Sequence, residues 1–135
     1  MSRRLVWAMG LASAVVYALA MPAAQVGSVT DAAKRGDRDA VRERLKQGAD
    51  ANAAEGDGMT ALHWAARAGD AELAQVLLYA GANVKATTRL GAYTPLMMAA
   101  QAGHAPVVAA LIAAGADVNA TSTTGTTPLM FAAQS

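Results

Sequence analysis

Chemistry at a protein site needs titratable or nucleophilic side chains that converge, and this 135-residue chain offers few of them. It has two histidines, His63 and His104. A neutral imidazole can act as a general base near pH 7 or ligate a metal. The two stand at different places in the sequence pattern, His63 in a turn leading into a helix and His104 at a helix start, so a structural role is preferred for both. The carboxylates Asp50 and Asp117 recur inside the same short phrase, Gly-Ala-Asp. Recurrence in phase marks turn chemistry rather than an acid and base paired for proton transfer. No Ser or Asp lies in a nucleophile context, and no glycine-rich loop with a following lysine leads into a helix to cradle phosphate. With no cysteine in the chain, disulfides, thiolate metal sites, cysteine nucleophiles and a lipidated N-terminal cysteine are excluded. Together these features mark a non-catalytic chain with no metal and no cofactor.

Charge excludes a further class. The formal net charge is +1, and without residues 1–20 nine bases face ten acids. A near-neutral body does not suit a nucleic acid, whose phosphates call for a basic patch. The densest run of charge holds six bases (Lys34, Arg35, Arg38, Arg42, Arg44, Lys46), but Asp31, Asp37, Asp39 and Glu43 lie among them. Mixed signs on one stretch read as a solvated face. From Leu90 to Ser135 the only charged residue is Asp117. A partner on that half is expected to be held by hydrogen bonds and apolar contact rather than by charge steering.

The elements that position these residues are set by a repeat. Thr60-Ala61-Leu62-His63-Trp64-Ala65-Ala66-Arg67-Ala68-Gly69 returns 34 residues later as Thr94-Pro95-Leu96-Met97-Met98-Ala99-Ala100-Gln101-Ala102-Gly103, and after 33 more as Thr127-Pro128-Leu129-Met130-Phe131-Ala132-Ala133-Gln134-Ser135. Gly48-Ala49-Asp50, Gly81-Ala82-Asn83 and Gly115-Ala116-Asp117 keep the same beat. A period of this length signals a solenoid. The threonines supply N-cap oxygens, and Pro95 and Pro128 occupy the first helical position, where a missing N–H is tolerated. Leu62 points into the stack, Ala65 and Ala66 allow a neighbouring helix to approach, and Gly69 suits the left-handed end of a helix. A second helix is expected over Ala71–Tyr79, with Leu73, Val76, Leu77 and Leu78 on its apolar stripe. Val84 then returns to the core, while Asn83 and Thr87-Thr88 suit an exposed turn. In the first unit Val41 and Leu45, four apart, should face the second. Trp64, Met98 and Phe131 share one register and read as a bulky packing position. Helices of about eight to ten residues are marginal alone in water, so stability must come from stacking.

These phrases resemble ankyrin repeats. The family pattern is a glycine turn, Thr-Pro-Leu-His, two alanines, Gly-His, a leucine-rich second helix, then Gly-Ala-Asp. Gly58-Met59-Thr60-Ala61-Leu62-His63, Gly103-His104 and Gly115-Ala116-Asp117-Val118-Asn119 carry the likeness over about residues 28–135. The resemblance implies an all-α ankyrin-repeat solenoid of stacked helix-turn-helix units with β-turn/hairpin fingers: a capping repeat at 28–57, repeats at 58–90 and 91–124, and a partial repeat at 125–135. It implies that His63 helps tie neighbouring turns by hydrogen bonds, a residue replaced by Met97 and Met130 in later units. Unit three has an extra residue in Gly91-Ala92-Tyr93-Thr94, expected to push its finger outward, and Lys85 stands where Asn52 and Asn119 occur. The fourth unit ends after its first helix, which is expected to leave Leu129, Met130 or Phe131 partly uncovered, as in a truncated array.

In this family the fingers and adjoining short helices form a concave face that binds another protein. Carried over by register, the partner-binding residues are Gly56, Asp57, Met59 and Arg67; then Thr87, Arg89, Leu90, Tyr93 and Gln101; then Thr121, Thr123, Thr124, Thr126 and Gln134. Tyr93 and Arg89 lead, because tyrosine and arginine are enriched among binding hot spots. A role for Tyr93 as a turn residue covering Leu90 stands beside the contact role.

Residues 1–24 are of another kind. Arg3 and Arg4 precede a run from Leu5 to Ala24 without charge, and Ala18-Leu19-Ala20 places small residues before Met21. This fits a signal peptide over 1–20 with a linker over 21–27. The alternative is an uncleaved N-terminal anchor, the one way the chain would meet a membrane; Ser2-Arg3-Arg4 also resembles a twin-arginine export signal. The expected protein is a monomeric, exported bacterial-type protein-binding module, periplasmic or secreted. The alternative is the N-terminal interaction or regulatory module of a longer enzyme or toxin.

Overall fold

The computed structural model describes residues 28–135. The signal peptide or anchor and the linker up to residue 27 lie outside the described residues. Within them the chain forms helices α1 (Val29–Lys34), α2 (Arg38–Lys46), α3 (Ala61–Ala68), α4 (Ala71–Tyr79), α5 (Pro95–Gln101), α6 (Ala105–Ala113) and α7 (Pro128–Ala133). Among the described residues there is no strand, only an isolated antiparallel bridge between Ala54 and Thr60.

The helices begin where capping chemistry places them. Thr94 and Thr127 accept from the backbone N–H groups of Met97 and Met130, each at 3.3 Å. Asp37 and Asp70 do the same for the outer helices, accepting from Ala40 and Leu73 at 3.0 Å. His104 holds the equivalent N-cap position of α6 but makes no such side-chain bond. Gly69 ends α3 at φ +71°, the left-handed cap expected of it.

Two layers follow. The inner helices stack in order, α1 on α3, α3 on α5 and α5 on α7, while α2, α4 and α6 pack on their own inner partners and α4 meets α6. A continuous core of Val29, Val41, Leu62, Leu73, Leu77, Leu96, Val107 and Leu111 runs through the stack. The alanines Ala32, Ala65 and Ala99 lie in it, which lets the inner helices approach one another. Val41 is fully buried and Leu45 half-buried, both toward the core as expected.

The charged first unit is more than a solvated face. Arg38 Nε donates to Asp70 at 2.8 Å and its Nη1 to Glu72 at 2.7 Å. Arg42 also donates to Glu72 and, at 3.3 Å, to Asp39. These pairs tie α2 to the start of α4. Asn52 adds a second tie: its amide donates to Gly81 C=O at 3.2 Å and its Oδ1 accepts from Asn83 N–H at 2.7 Å. Among the described residues no helix is long and apolar enough to cross a membrane.

Candidate partner-binding face

Each finger is closed by the same backbone bond. Glu55 N–H donates to Met59 C=O at 2.9 Å, Thr88 N–H to Tyr93 C=O at 3.0 Å, and Ser122 N–H to Thr126 C=O at 3.0 Å. The second finger therefore absorbs its extra residue within the loop. Ala92 carries the strain there, at φ +52°, and is the one non-glycine residue with positive φ among those described. Leu90 stands out at the tip, 83% exposed. Thr88 braces this loop from beneath, donating to Leu90 C=O at 2.7 Å and accepting from Tyr93 N–H at 3.1 Å.

The fingers are also bonded to one another. Arg89 N–H donates to Asp57 C=O at 2.8 Å, and Thr123 N–H to Gly91 C=O at 2.9 Å. Gly58 makes the first contact feasible: it sits at φ +84°, and a Cβ there would lie 2.9 Å from Arg89 N. Beneath the fingers, His63 is fully buried. Its Nε2 faces Tyr93 C=O at 2.9 Å, and its Nδ1 meets Thr60 N–H at 3.1 Å and Thr60 Oγ1 at 2.8 Å. A carbonyl can only accept, so the proton belongs on Nε2 and Nδ1 accepts. Burial pushes the imidazole pKa down; the carbonyls of Tyr93 and Ala86 oppose this only in part. Thr30 holds the same register in unit one, and its hydroxyl donates to Ala53 C=O at 2.7 Å. In unit three Met97 has no proton to donate and instead packs with Ala100 and Phe131.

The expected binding residues divide. Asp57, Arg67, Thr87, Arg89, Leu90, Gln101, Thr123 and Thr124 are exposed, as are Gly56, Thr121 and Gln134. Met59 is not available at the surface: it is 5% exposed. Tyr93 and Thr126 occupy the same place before the N-cap threonine, and both are half-buried. Tyr93 does not lie over Leu90. Its ring packs at 5.5 Å from Phe131 with a 59° tilt and crosses Gly91 so closely that a side chain there would collide. The residue preceding an N-cap often turns inward, and Met59 and Tyr93 both do so.

Lys34 was missing from the expected set. Lys34, Arg67, Gln101 and Gln134 hold one register on successive inner helices and all four are exposed. Lys34 Nζ lies 5.0 Å from the Trp64 ring centroid and the Arg67 guanidinium 5.7 Å, so two cations flank one indole. Lys34 also pairs loosely with Glu55 at 3.9 Å. Trp64 itself is half-buried and packs on the core. His104 lies across Gly69, with Nε2 at 3.2 Å from Arg67 C=O. Among the described residues no group of three or more His, Cys, Asp or Glu is placed to hold a metal ion.

This architecture agrees with comparison to known proteins. The family model for ankyrin repeats (3 copies) matches residues 29–122 and, in a second match, 85–135. No curated protein matches the chain. Ankyrin repeats are in general protein–protein interaction modules and typically non-catalytic.

Proposed function

We propose, from the premise that the chain belongs to the ankyrin-repeat family, that residues 28–135 bind a partner protein along a concave face made by the fingers and the inner helices, with no catalytic step of their own. The observation that carries this is the ladder from Asp57 C=O to Arg89 N–H and from Gly91 C=O to Thr123 N–H. It fixes the backbone of successive fingers while the side chains of Arg89, Leu90, Thr123 and Thr124 stay exposed. A surface rigid before contact loses little conformational entropy on binding. The partner segment over units three and four meets hydroxyls, amides and Leu90, so hydrogen bonds and apolar contact hold it there.

The test is a cross-linked pull-down from the exported fraction with the wild type and an Arg89→Ala/Leu90→Ala double variant. Recovery of one partner by the wild type and its loss with the double variant is expected. Equal recovery by both would remove the fingers from the interface.

Export is part of the same proposal. It is supported by Arg3, Arg4, the uncharged run Leu5 to Ala24 and the Ala18-Leu19-Ala20 phrase. N-terminal sequencing should find an exported product that begins at Met21. A product that keeps Met1 in a membrane fraction would instead mean an anchored protein.

A further inference from the structure

Lys34, Arg67, Gln101 and Gln134 follow one another at one exposed register of the inner helices, so this face changes from cationic to neutral along the stack. Beyond α3 the inner helices α5 and α7 carry no charged residue. The bases of the two layers also differ in what they meet. On the outer helix α2, Arg38 and Arg42 are engaged by Asp70, Glu72 and Asp39. On the inner helices, Arg67 has no carboxylate within ion-pair distance among the described residues, and Lys34 has only Glu55, at 3.9 Å.

Trp64 gathers these two cations. Lys34 Nζ lies 5.0 Å and the Arg67 guanidinium 5.7 Å from its ring centroid, so the two charges are no further apart than those distances laid end to end. Both head groups stay open to solvent, with the Lys34 side chain 52% exposed. We infer that this pair is a seat for one carboxylate of the partner, an Asp or Glu side chain in an otherwise uncharged segment; the inference rests on the concave-face reading above. The planar fork of Arg67 can donate two parallel N–H bonds to a carboxylate, and Lys34 adds a point charge. A cationic residue does not suit the indole, because two like charges already hold it. A polyanion does not suit the seat either: exposed Asp57 and half-buried Glu55 on the adjoining finger would repel its further charges. Past α3 the segment meets the amides of Gln101 and Gln134 and the finger threonines, which match no charge. The carboxylate thus fixes the direction of the segment, with the acid over α1 and α3 and the neutral part running toward α7.

The probe is a phage-displayed library of random peptides selected against the full 135-residue chain. Binders are expected to carry Asp or Glu at one fixed position among uncharged neighbours. Lys34→Gln/Arg67→Gln should weaken a selected peptide roughly tenfold. It should also remove most of the fall in affinity between low and moderate salt. Lys34→Glu/Arg67→Glu should turn the selection toward Lys or Arg at that position, a reversal that lost packing cannot produce. Both residues are exposed, so circular dichroism should find these variants folded. Binders with no fixed acid, acidic binders indifferent to Lys34→Gln/Arg67→Gln, or no reversal with the glutamate pair would overturn the inference. Arg89→Ala/Leu90→Ala reports separately on the fingers. Peptides weakened by that variant but lacking a fixed acid would remove the carboxylate seat and leave the concave face standing. Acidic peptides that show the reversal yet ignore that variant would support the seat and take the fingers out of the interface.

Discussion

His63 Nε2 donates to the backbone carbonyl of Tyr93, 2.9 Å away and thirty residues on. One neutral imidazole thus joins the start of α3 to the closing residue of the next finger, while its other nitrogen accepts from Thr60. Protonation would turn that acceptor into a second donor facing Thr60 N–H, in a site closed to water.

The stability of the fold should therefore depend on pH through His63. Its folded pKa lies below the ordinary histidine value, so in the window between the two the unfolded chain binds more protons. Stability is full above about pH 6.5 and falls as pH drops below it, down to the depressed folded pKa, where the loss levels off. The check is the urea midpoint from pH 8 to pH 5 for the wild type and for His63→Met, a change that copies Met97 of unit three. The variant should be less stable at pH 8, by about 1–3 kcal/mol for the lost buried hydrogen bonds, and should show a shallower pH slope. Equal slopes would assign the pH dependence elsewhere.

The junction of units one and two should respond to salt. Burial alone would raise the Asp70 pKa, but its hydrogen bond from Arg38, the Leu73 N–H and the charges of Arg38 and Arg42 outweigh it and hold the carboxyl below its usual range. Its contribution is present above the unfolded carboxylate pKa of about 3.9 and is lost as pH falls through the lower folded value. The pairs are exposed to solvent, so Arg38→Ala should lower the urea midpoint only slightly, and most at low ionic strength. That difference should shrink in about 0.5 M NaCl, where the Debye length is a few ångströms. A cost that stays constant with salt would point to packing by the arginine stem instead.

Tyr93 and Arg89 should separate under mutation. Tyr93→Ala removes a ring held against Phe131 and should lower stability by about 2–3 kcal/mol, through lost burial and the ring pair. Arg89 uses its backbone for the finger ladder and leaves its side chain exposed, so Arg89→Ala should change stability by less than about 0.5 kcal/mol while weakening partner binding. Thermal melts of both variants beside the pull-down decide it. Loss of binding with Tyr93→Ala and no change in melting would return Tyr93 to the contact surface.

Much of this was legible from phrase and period. The Thr-x-Leu-His spacing located His63, and the Gly-Ala-Asp beat located the ends of the outer helices, because short repeats have only one way to bury their leucines. The inward turn of Met59 was less visible. Its counterparts are Tyr93 and Thr126, one offset by an inserted residue and one polar, so no shared apolar pattern marked the position. Tyr93 finds its place only through Phe131, which arrives 38 residues later from another unit. The Arg38 and Arg42 pairs with Asp70 and Glu72 depend on how far one outer helix is shifted along the next, a geometric detail that a charge count over the first unit does not contain.

Ala92 offers a test of the inserted residue itself. An L-residue at φ +52° crowds its Cβ against the backbone, at a cost of about 1–2 kcal/mol. Glycine removes that crowding but gains freedom in the unfolded chain worth roughly 0.5–1 kcal/mol. Ala92→Gly should therefore stabilise the protein by a net amount of up to about 1 kcal/mol, and Ala92→Val should destabilise it. By contrast, Gly58→Ala should cost more than either change. Its Cβ would meet Arg89 N at 2.9 Å and Thr87 C=O at 3.1 Å, both backbone atoms that cannot turn away. Calorimetric melting of the three variants checks the order. If Gly58→Ala melts with the wild type, the fingers are not held together by the Asp57–Arg89 contact, and the rigid ridge on which partner binding is argued would lose its basis.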